Sequence, residues 1–101
     1  MYYNLRMVYI TTPDRVTAKN LGHKILQKRL AACVNIVKGM ESIYWWEGKI
    51  TEDKECILLV KTPYSNMKQL TKLVEKHHPY DCPCIISVSY THLTLPTTWL
   101  V

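Results

Sequence analysis

The chain has 101 residues, close to the size of one domain with its own hydrophobic core. It is 48% hydrophobic and 21% charged, with only three Gly and five Pro, which excludes a disordered, collagen-like or low-complexity chain. Thirteen Lys and Arg against eight Asp and Glu leave a net charge of +5, which permits anionic partners without requiring them.

The N-terminus and the cysteines bear on the cellular compartment. Residues 1–6 lack a basic region followed by a long apolar core, and no later stretch approaches the roughly 20 apolar residues of a membrane helix. We therefore expect a cytoplasmic protein whose four cysteines, Cys33, Cys56, Cys82 and Cys84, are reduced. The Cys82-x-Cys84 spacing is shorter than the usual C-x-x-C of a structural zinc site.

The first 30 residues predict a strand followed by a helix. Residues 5–11 are apolar and β-prone, which is typical of a buried strand. The triplet Thr12-Pro13-Asp14 then predicts a helix start, with Thr12 as the capping hydroxyl and proline at the first helical position. Apolar residues follow at helical spacing: Ala18, Leu21, Gly22, Ile25, Leu26 and Leu30.

From residue 32 the apolar period changes to two, which predicts a long hairpin. Residues 32–37 alternate as in a strand, Gly39 predicts a bend or bulge, and the strand pattern resumes over 42–46. Glu47-Gly48-Lys49 predicts the turn, and a return strand follows over about 50–62.

The C-terminal part predicts a second helix and a last strand. Asn66 with Gln69 three residues later is a modest capping signal, and Pro79 ends the helix. A strand is predicted over 84–90. The order βαββαβ predicts an α+β, ferredoxin-like fold: an antiparallel four-stranded sheet with two helices on one face and a long hairpin between the second and third strands.

The aromatic residues are seven Tyr and three Trp, without Phe. Tyr44, Trp45 and Trp46 are adjacent in one predicted strand, so they point to alternating faces and cannot all enter the core of one subunit. We therefore expect these three residues to form an interface between copies of the chain. The alternative is that one Trp simply lies exposed.

Several motifs, in order, resemble the CutA family of divalent-cation tolerance proteins. They are Thr12-Pro13-Asp14, residues 30–35 (LAACVN), residues 42–49 (SIYWWEGK), Glu55, Lys61-Thr62, and His78-Pro79-Tyr80 with Pro83. The resemblance implies a ferredoxin-like subunit that forms a homotrimer through its long hairpin strands and C-terminal segment, similar in architecture to the PII signalling proteins. It also implies a role in tolerance of divalent metals, chiefly copper.

Two sets of residues are candidates for a site. His78, Cys82 and Cys84 lie within seven residues and offer the imidazole and thiol donors that copper and zinc favour. His78 could equally cap the second helix, where the dipole favours a cation. Lys61 and Tyr80, both within the resemblance, could converge on a small anion in a cleft between subunits, or Lys61 could be a solvated side chain.

These observations favour a homotrimeric metal-response protein that binds copper or a related divalent cation and has no organic cofactor. The alternative is a PII-like signalling or scaffold module that binds a small anion or a partner protein. We do not expect an enzyme, because the chain has no glycine-rich phosphate loop and no nucleophile motif. RNA binding is disfavoured because the strands lack the aromatic motifs of RNA-reading domains.

Residues 89–101 depart from the family pattern. This segment is rich in Thr and has no Asp, Glu, Lys or Arg, unlike the preceding chain. We therefore divide the sequence into a CutA-like domain over residues 1–88 and an atypical C-terminal tail over residues 89–101, with the hypothesis that the tail is foreign to the fold.

Overall fold

Residues 4–89 are described by a computed structural model of the chain. The elements are β1 (Leu5–Thr12), α1 (Arg15–Gln27), β2 (Cys33–Trp46), β3 (Lys49–Pro63), α2 (Met67–His77) and β4 (Ile85–Ser89), with one 3₁₀ turn at Tyr64–Asn66. The strands pair in the order β2-β3-β1-β4, and every pair is antiparallel. This is the predicted ferredoxin-like arrangement.

The core lies between one face of the sheet and the two helices. Alternate residues of β1 and β3 point inward, and fully buried examples are Val8, Ile10 and Leu58. Leu21 of α1 and Leu70 of α2 belong to the same buried cluster. Because both helices bury their apolar stripes here, they cover the same face of the sheet, as predicted.

The other face of the sheet is apolar, and none of the elements described within residues 4–89 forms a layer above it. We call it the open sheet face; its central residues are Met7, Tyr9, Ile57, Leu59, Ile86 and Val88. Residues directly opposite each other on paired strands share a face of the sheet. Tyr9 on β1 therefore lies beside Leu59 of β3 and Ile86 of β4 on this face. Ile86 is 52% exposed and Val88 is 58% exposed. A surface of this kind is typical of an interaction site.

The β2–β3 hairpin is longer than the helices that cover the sheet. Its 14 and 15 residues span about 45 Å, against roughly 20 Å for the 13 residues of α1. The register shifts between Val37 and Met40, around Gly39, where a bulge was predicted. At the tip, Glu47 and Gly48 have φ of 50° and 76°, the left-handed values of a tight hairpin turn. We call residues 40–55 the hairpin arm.

Thr12 is not the cap of α1, and Asn66 stands at the N-cap position of α2, as predicted, without forming a side-chain capping bond. The side chain of Asp14, not of Thr12, accepts the Thr17 N–H at 2.7 Å. Thr12 is the last residue of β1, and its alternation turns the hydroxyl into the core, where it donates to the Cys56 carbonyl at 3.1 Å. The Asn66 side chain makes no capping bond for α2; its Nδ2 donates to the Leu30 carbonyl at 3.0 Å.

The predicted apolar stripe of α1 extends too far. Ala18, Leu21, Gly22 and Ile25 are buried, but the helix ends at Gln27 and Leu26 is 38% exposed. Leu30 is buried only after the chain has turned through Arg29, whose φ is 57°.

The predicted end of α2 is confirmed: the helix stops at His77, two residues before Pro79. The last strand, predicted over 84–90, is described as Ile85–Ser89. Within residues 4–89, no helix is both long enough and apolar enough to cross a membrane. The rest of the predicted tail, with Tyr90 and Trp99, lies outside the described residues.

Candidate functional site

His78 joins the segment after α2 to the first strand. The residue is 7% exposed, with Nε2 lying 2.7 Å from the Thr11 carbonyl oxygen and Nδ1 3.1 Å from the Tyr80 backbone nitrogen. A carbonyl can only accept and a backbone N–H can only donate. The neutral ring therefore carries its proton on Nε2 and accepts at Nδ1. Both nitrogens of this predicted metal ligand are engaged within the protein.

Tyr80 continues this connection from the loop to β3. Its hydroxyl donates to Glu55 Oε2 at 2.7 Å, and its ring lies 4.7 Å from the His78 ring, centroid to centroid. Burial, and next the hydrogen bond to Glu55, raise the pKa of the Tyr80 phenol. His78 and Tyr80 together hold the start of the loop against the end of β1 and the middle of β3.

A second tyrosine–carboxylate pair stands next to the first. Tyr44 donates to Asp53 across the hairpin arm, and this hydrogen bond raises the pKa of Tyr44. Asp53 and Glu55 are two residues apart on β3, so both side chains lie on the side of the open sheet face. The surface around the Tyr80 hydroxyl therefore carries carboxylates, which does not suit an anion.

Cys82 and Cys84, the other predicted metal ligands, are unpaired thiols in the loop that leads to β4. Cys82 is exposed and Cys84 is half-buried. Among residues 4–89, no three His, Cys, Asp or Glu side chains come together in a group that could hold a metal ion. The described part of one copy therefore brings two soft donors close in sequence and forms no closed metal site.

Lys61 and Tyr80, predicted to share a cleft, lie at separate places in one copy. Lys61 is on the open sheet face, opposite Met7 and Cys33. The Tyr80 hydroxyl is bound at Glu55, six residues along β3, which is about 20 Å from Lys61. A cleft lined by both side chains would need Lys61 of one copy and Tyr80 of another.

The aromatic residues of the hairpin arm divide between its two faces, as their alternation predicts. Tyr44 is paired with Thr51 and lies on the side of the open sheet face, whereas Trp45 is paired with Ile50 on the opposite side. Trp45 is 72% exposed and Trp46 is 62% exposed. One copy of the chain thus leaves both Trp side chains on its surface.

Sequence reasoning missed a groove between the two helices. Thr17, Asn20, Leu21 and Lys24 of α1 line one side, and His77 and Pro79 line the other. The sequence does indicate the α1 side of this groove, because Thr17, Asn20 and Lys24 recur at three- and four-residue spacing and so share one face of the helix. The partner residues His77 and Pro79 could only be found from the packing of α2 beside α1.

Curated relatives of this chain carry the name CutA. It is 47% identical over 85 residues to the chloroplastic protein CutA of Arabidopsis thaliana, a match that covers 84% of this chain and 47% of that protein. It is 37% identical over 86 residues to an Escherichia coli divalent-cation tolerance protein CutA, covering 85% of this chain and 77% of that protein. The chain thus spans about half the length of the plant relatives it matches.

Solved structures of CutA proteins have the same fold as this chain. CutA1 from Oryza sativa superimposes with a TM-score of 0.90 at 39% identity, covering 98% of this chain and 89% of that one. A protein from Archaeoglobus fulgidus described as periplasmic divalent cation tolerance protein CutA has a TM-score of 0.85 at 34% identity, covering 95% and 91%. Since relatives are named chloroplastic and periplasmic, the cytoplasmic location remains a prediction.

A family model described as CutA1 divalent ion tolerance protein matches residues 6–99. The match includes the strands, both helices, the hairpin arm and the loop that carries His78 and Tyr80. The chain therefore belongs to the CutA1 divalent ion tolerance family, as its motifs indicated.

Proposed function

We propose that the protein acts in divalent-cation tolerance as a homotrimer, assembled through the open sheet face and the hairpin arm. The observation that carries this proposal is the apolar surface that one copy leaves uncovered. It runs from Ile86 and Val88 on β4 across the sheet to the exposed Trp46 of the arm, and Trp45 lies exposed on the opposite side of the arm. Burial of such a surface against other copies is the main driving force of stable oligomers.

A charged substitution on this surface tests the assembly. Val88→Asp places a carboxylate on the open sheet face, and we expect it to shift the protein toward monomers because an unpaired buried charge is costly. Val16→Asp is the matched control, since Val16 is 68% exposed on α1, on the helix side of the sheet. Light scattering coupled to gel filtration gives the mass of each variant. Trimers of both variants, or monomers of both, would contradict the proposed interface.

For the contact with copper or related divalent ions, we propose the thiols of Cys82 and Cys84. His78 has both ring nitrogens engaged, so in this proposal it positions the segment that carries the two thiols and is not itself a ligand. Thiolates are the donors that soft and borderline ions favour. Among residues 4–89 of one copy, no third donor joins these thiols in a group that could hold a metal ion, so the proposal assigns two protein ligands.

Cobalt(II) reports this contact directly, because thiolate ligands give it a charge-transfer absorption. We expect that absorption in the reduced wild-type protein and in Cys33→Ser, and its loss in the double variant Cys82→Ser and Cys84→Ser. Cys33 is the matched control, as it is also a free, half-buried thiol. Titration with zinc(II) and copper(I) then extends the comparison to the other ions. Equal absorption in the double variant and the wild type would exclude these thiols.

The PII-like alternative, a small anion bound in a cleft between copies, requires Lys61 and Tyr80 to meet across an interface. Lys61 lies on the open sheet face, which is where the proposed assembly brings copies together. In that case Lys61→Gln weakens binding of inorganic phosphate by the trimer without changing its mass. Unchanged phosphate binding in Lys61→Gln would remove this alternative.

A further inference from the structure

We propose that the groove between α1 and α2, lined by Thr17, Asn20, Lys24 and His77, binds the phosphate group of an anionic ligand. All four side chains can donate hydrogen bonds: a hydroxyl, an amide, an ammonium and an imidazole. No carboxylate is among the described residues that line the groove. A phosphate offers several strong acceptor oxygens and full negative charge, so it matches a set of donors of this kind.

The helices hold these donors in a fixed relation. Thr17, Asn20 and Lys24 project from one face of α1, and buried Leu21 forms the floor between them. His77 is the last residue of α2, so it faces them from the neighbouring helix. Each donor stands on a regular helix that packs into the core, which makes the groove a formed feature of the fold and not a loop arrangement.

The whole helix side of the molecule is positively charged. Eight exposed cations lie on α1, α2 and the turn after α1: Arg15, Lys19, Lys24, Lys28, Arg29, Lys68, Lys72 and Lys76. Clustered charge of one sign raises the local concentration of an oppositely charged ligand and speeds its association. The same residues that keep this side soluble thus direct anions to the groove.

Three acidic residues lie outside the hairpin arm, Asp14, Glu75 and Asp81, and none is among the described residues that line the groove. Glu75 precedes His77 by two residues, which places it about 160° away around the axis of α2. Asp14 lies nearer, but its carboxylate is turned to the N-terminus of α1, where it accepts the Thr17 N–H at 2.7 Å. That hydrogen bond lowers the pKa of Asp14.

The helix dipoles act in opposite directions on an anion in the groove. The C-terminal end of α2 carries about half a negative charge, and the N-terminal end of α1, near Thr17, carries about half a positive charge. These contributions offset each other, so the ammonium of Lys24 decides the sign. The groove therefore favours an anion.

The lining also limits the kind of ligand. No Phe, Tyr or Trp is among the described residues of the groove, so the imidazole of His77 is the only ring among them that could stack on a nucleotide base. Recognition rests on the phosphate group itself, whether it belongs to free inorganic phosphate or to a phosphate monoester.

The test is a titration of the full isotope-labelled chain with inorganic phosphate and, separately, with glycerol phosphate, followed by amide chemical shifts. We expect the largest shifts at residues 17–24 and at His77 and His78. The tighter of the two ligands identifies the source of the phosphate. Shifts spread evenly over both helices, or none at tens of millimolar ligand, would overturn the proposal.

Matched variants separate a site from general attraction of charge. We expect Lys24→Gln to weaken phosphate binding about tenfold, as expected for loss of a charge-assisted contact, and Lys68→Gln to weaken it less than about twofold. Both variants lose one exposed ammonium from a helix. Asp14→Asn retains a capping side chain and is expected to strengthen binding. Equal losses in Lys24→Gln and Lys68→Gln would overturn the groove as a site.

Discussion

At the scale of single residues, the two ring nitrogens of His78 determine what the loop after α2 can do. Nε2 is held by the Thr11 carbonyl, 67 residues away in sequence, and Nδ1 by the Tyr80 N–H. A metal ion at either nitrogen would have to replace one of these bonds. In the local sequence an imidazole stands four and six residues before two thiols, which predicts a set of metal ligands. The bond to Thr11 could not be predicted there, because Thr11 is distant in sequence and meets the ring only in the fold.

His78→Ala should destabilise the fold. The substitution leaves the Thr11 carbonyl and the Tyr80 N–H without these partners and removes a buried ring, for an expected loss of about 2–3 kcal/mol in the free energy of unfolding. Urea denaturation gives this value, and hydrogen exchange at the Tyr80 amide should speed up. The exposed neighbour provides the control, since His77→Ala is expected to change stability by less than about 0.5 kcal/mol. Equal effects of both variants would refute the structural role of His78.

Tyr80 gives stability a dependence on alkaline pH. Burial and the bond to Glu55 raise the pKa of Tyr80 above its ordinary value of 10.0. The folded state then holds this proton more tightly than the unfolded chain, so the contribution is complete below pH 10 and is lost as pH rises through the folded value. Tyr80→Phe should cost about 1 kcal/mol at neutral pH, and the difference from wild type should shrink above pH 10. A difference that stays constant with pH would contradict this assignment.

At the scale of elements, sequence periodicity predicted the strands and helices better than their caps. The period-two pattern of residues 32–62 predicted the hairpin. Gly39 and Gly48 predicted the bulge and the turn because glycine adopts a positive φ readily, and both residues have a positive φ in the structure. Thr12 failed as a cap because a side chain at the end of a strand is also subject to strand alternation. Its hydroxyl points inward to the Cys56 carbonyl, which only strand pairing reveals.

The close approach of α1 to the sheet depends on Gly22. A Cβ atom at this position would lie 3.1 Å from Cγ2 of Val34 and 3.6 Å from Cδ1 of Leu58. Gly22→Val adds two further methyl groups to this contact, and we expect overpacking to destabilise the protein by about 2 kcal/mol. His23→Val puts the same residue on the exposed side of α1 and should cost less than about 1 kcal/mol. Thermal denaturation measures both, and equal stability would show that α1 can move away from the sheet.

At the scale of the whole molecule, the two sides of the sheet differ in character. The helix side carries eight exposed cations, and the open sheet face is apolar, with Ile86 and Val88 more than half exposed. Five of the eight acidic residues lie on the hairpin arm: Glu41, Glu47, Glu52, Asp53 and Glu55. The sequence predicted the uncovered face, since two helices cover one side of a four-stranded sheet. The inter-helix groove depends on helix packing and could not be predicted in the same way.

The mass of the protein in solution tests the central claim most directly. In the proposed trimer, other copies of the chain cover the open sheet face and the hairpin arm. Native mass spectrometry of the full chain at micromolar concentration should therefore give an assembly with three times the mass of one chain. The Val88→Asp variant should form an assembly of lower mass. A wild-type protein that remains a monomer under these conditions would contradict the account.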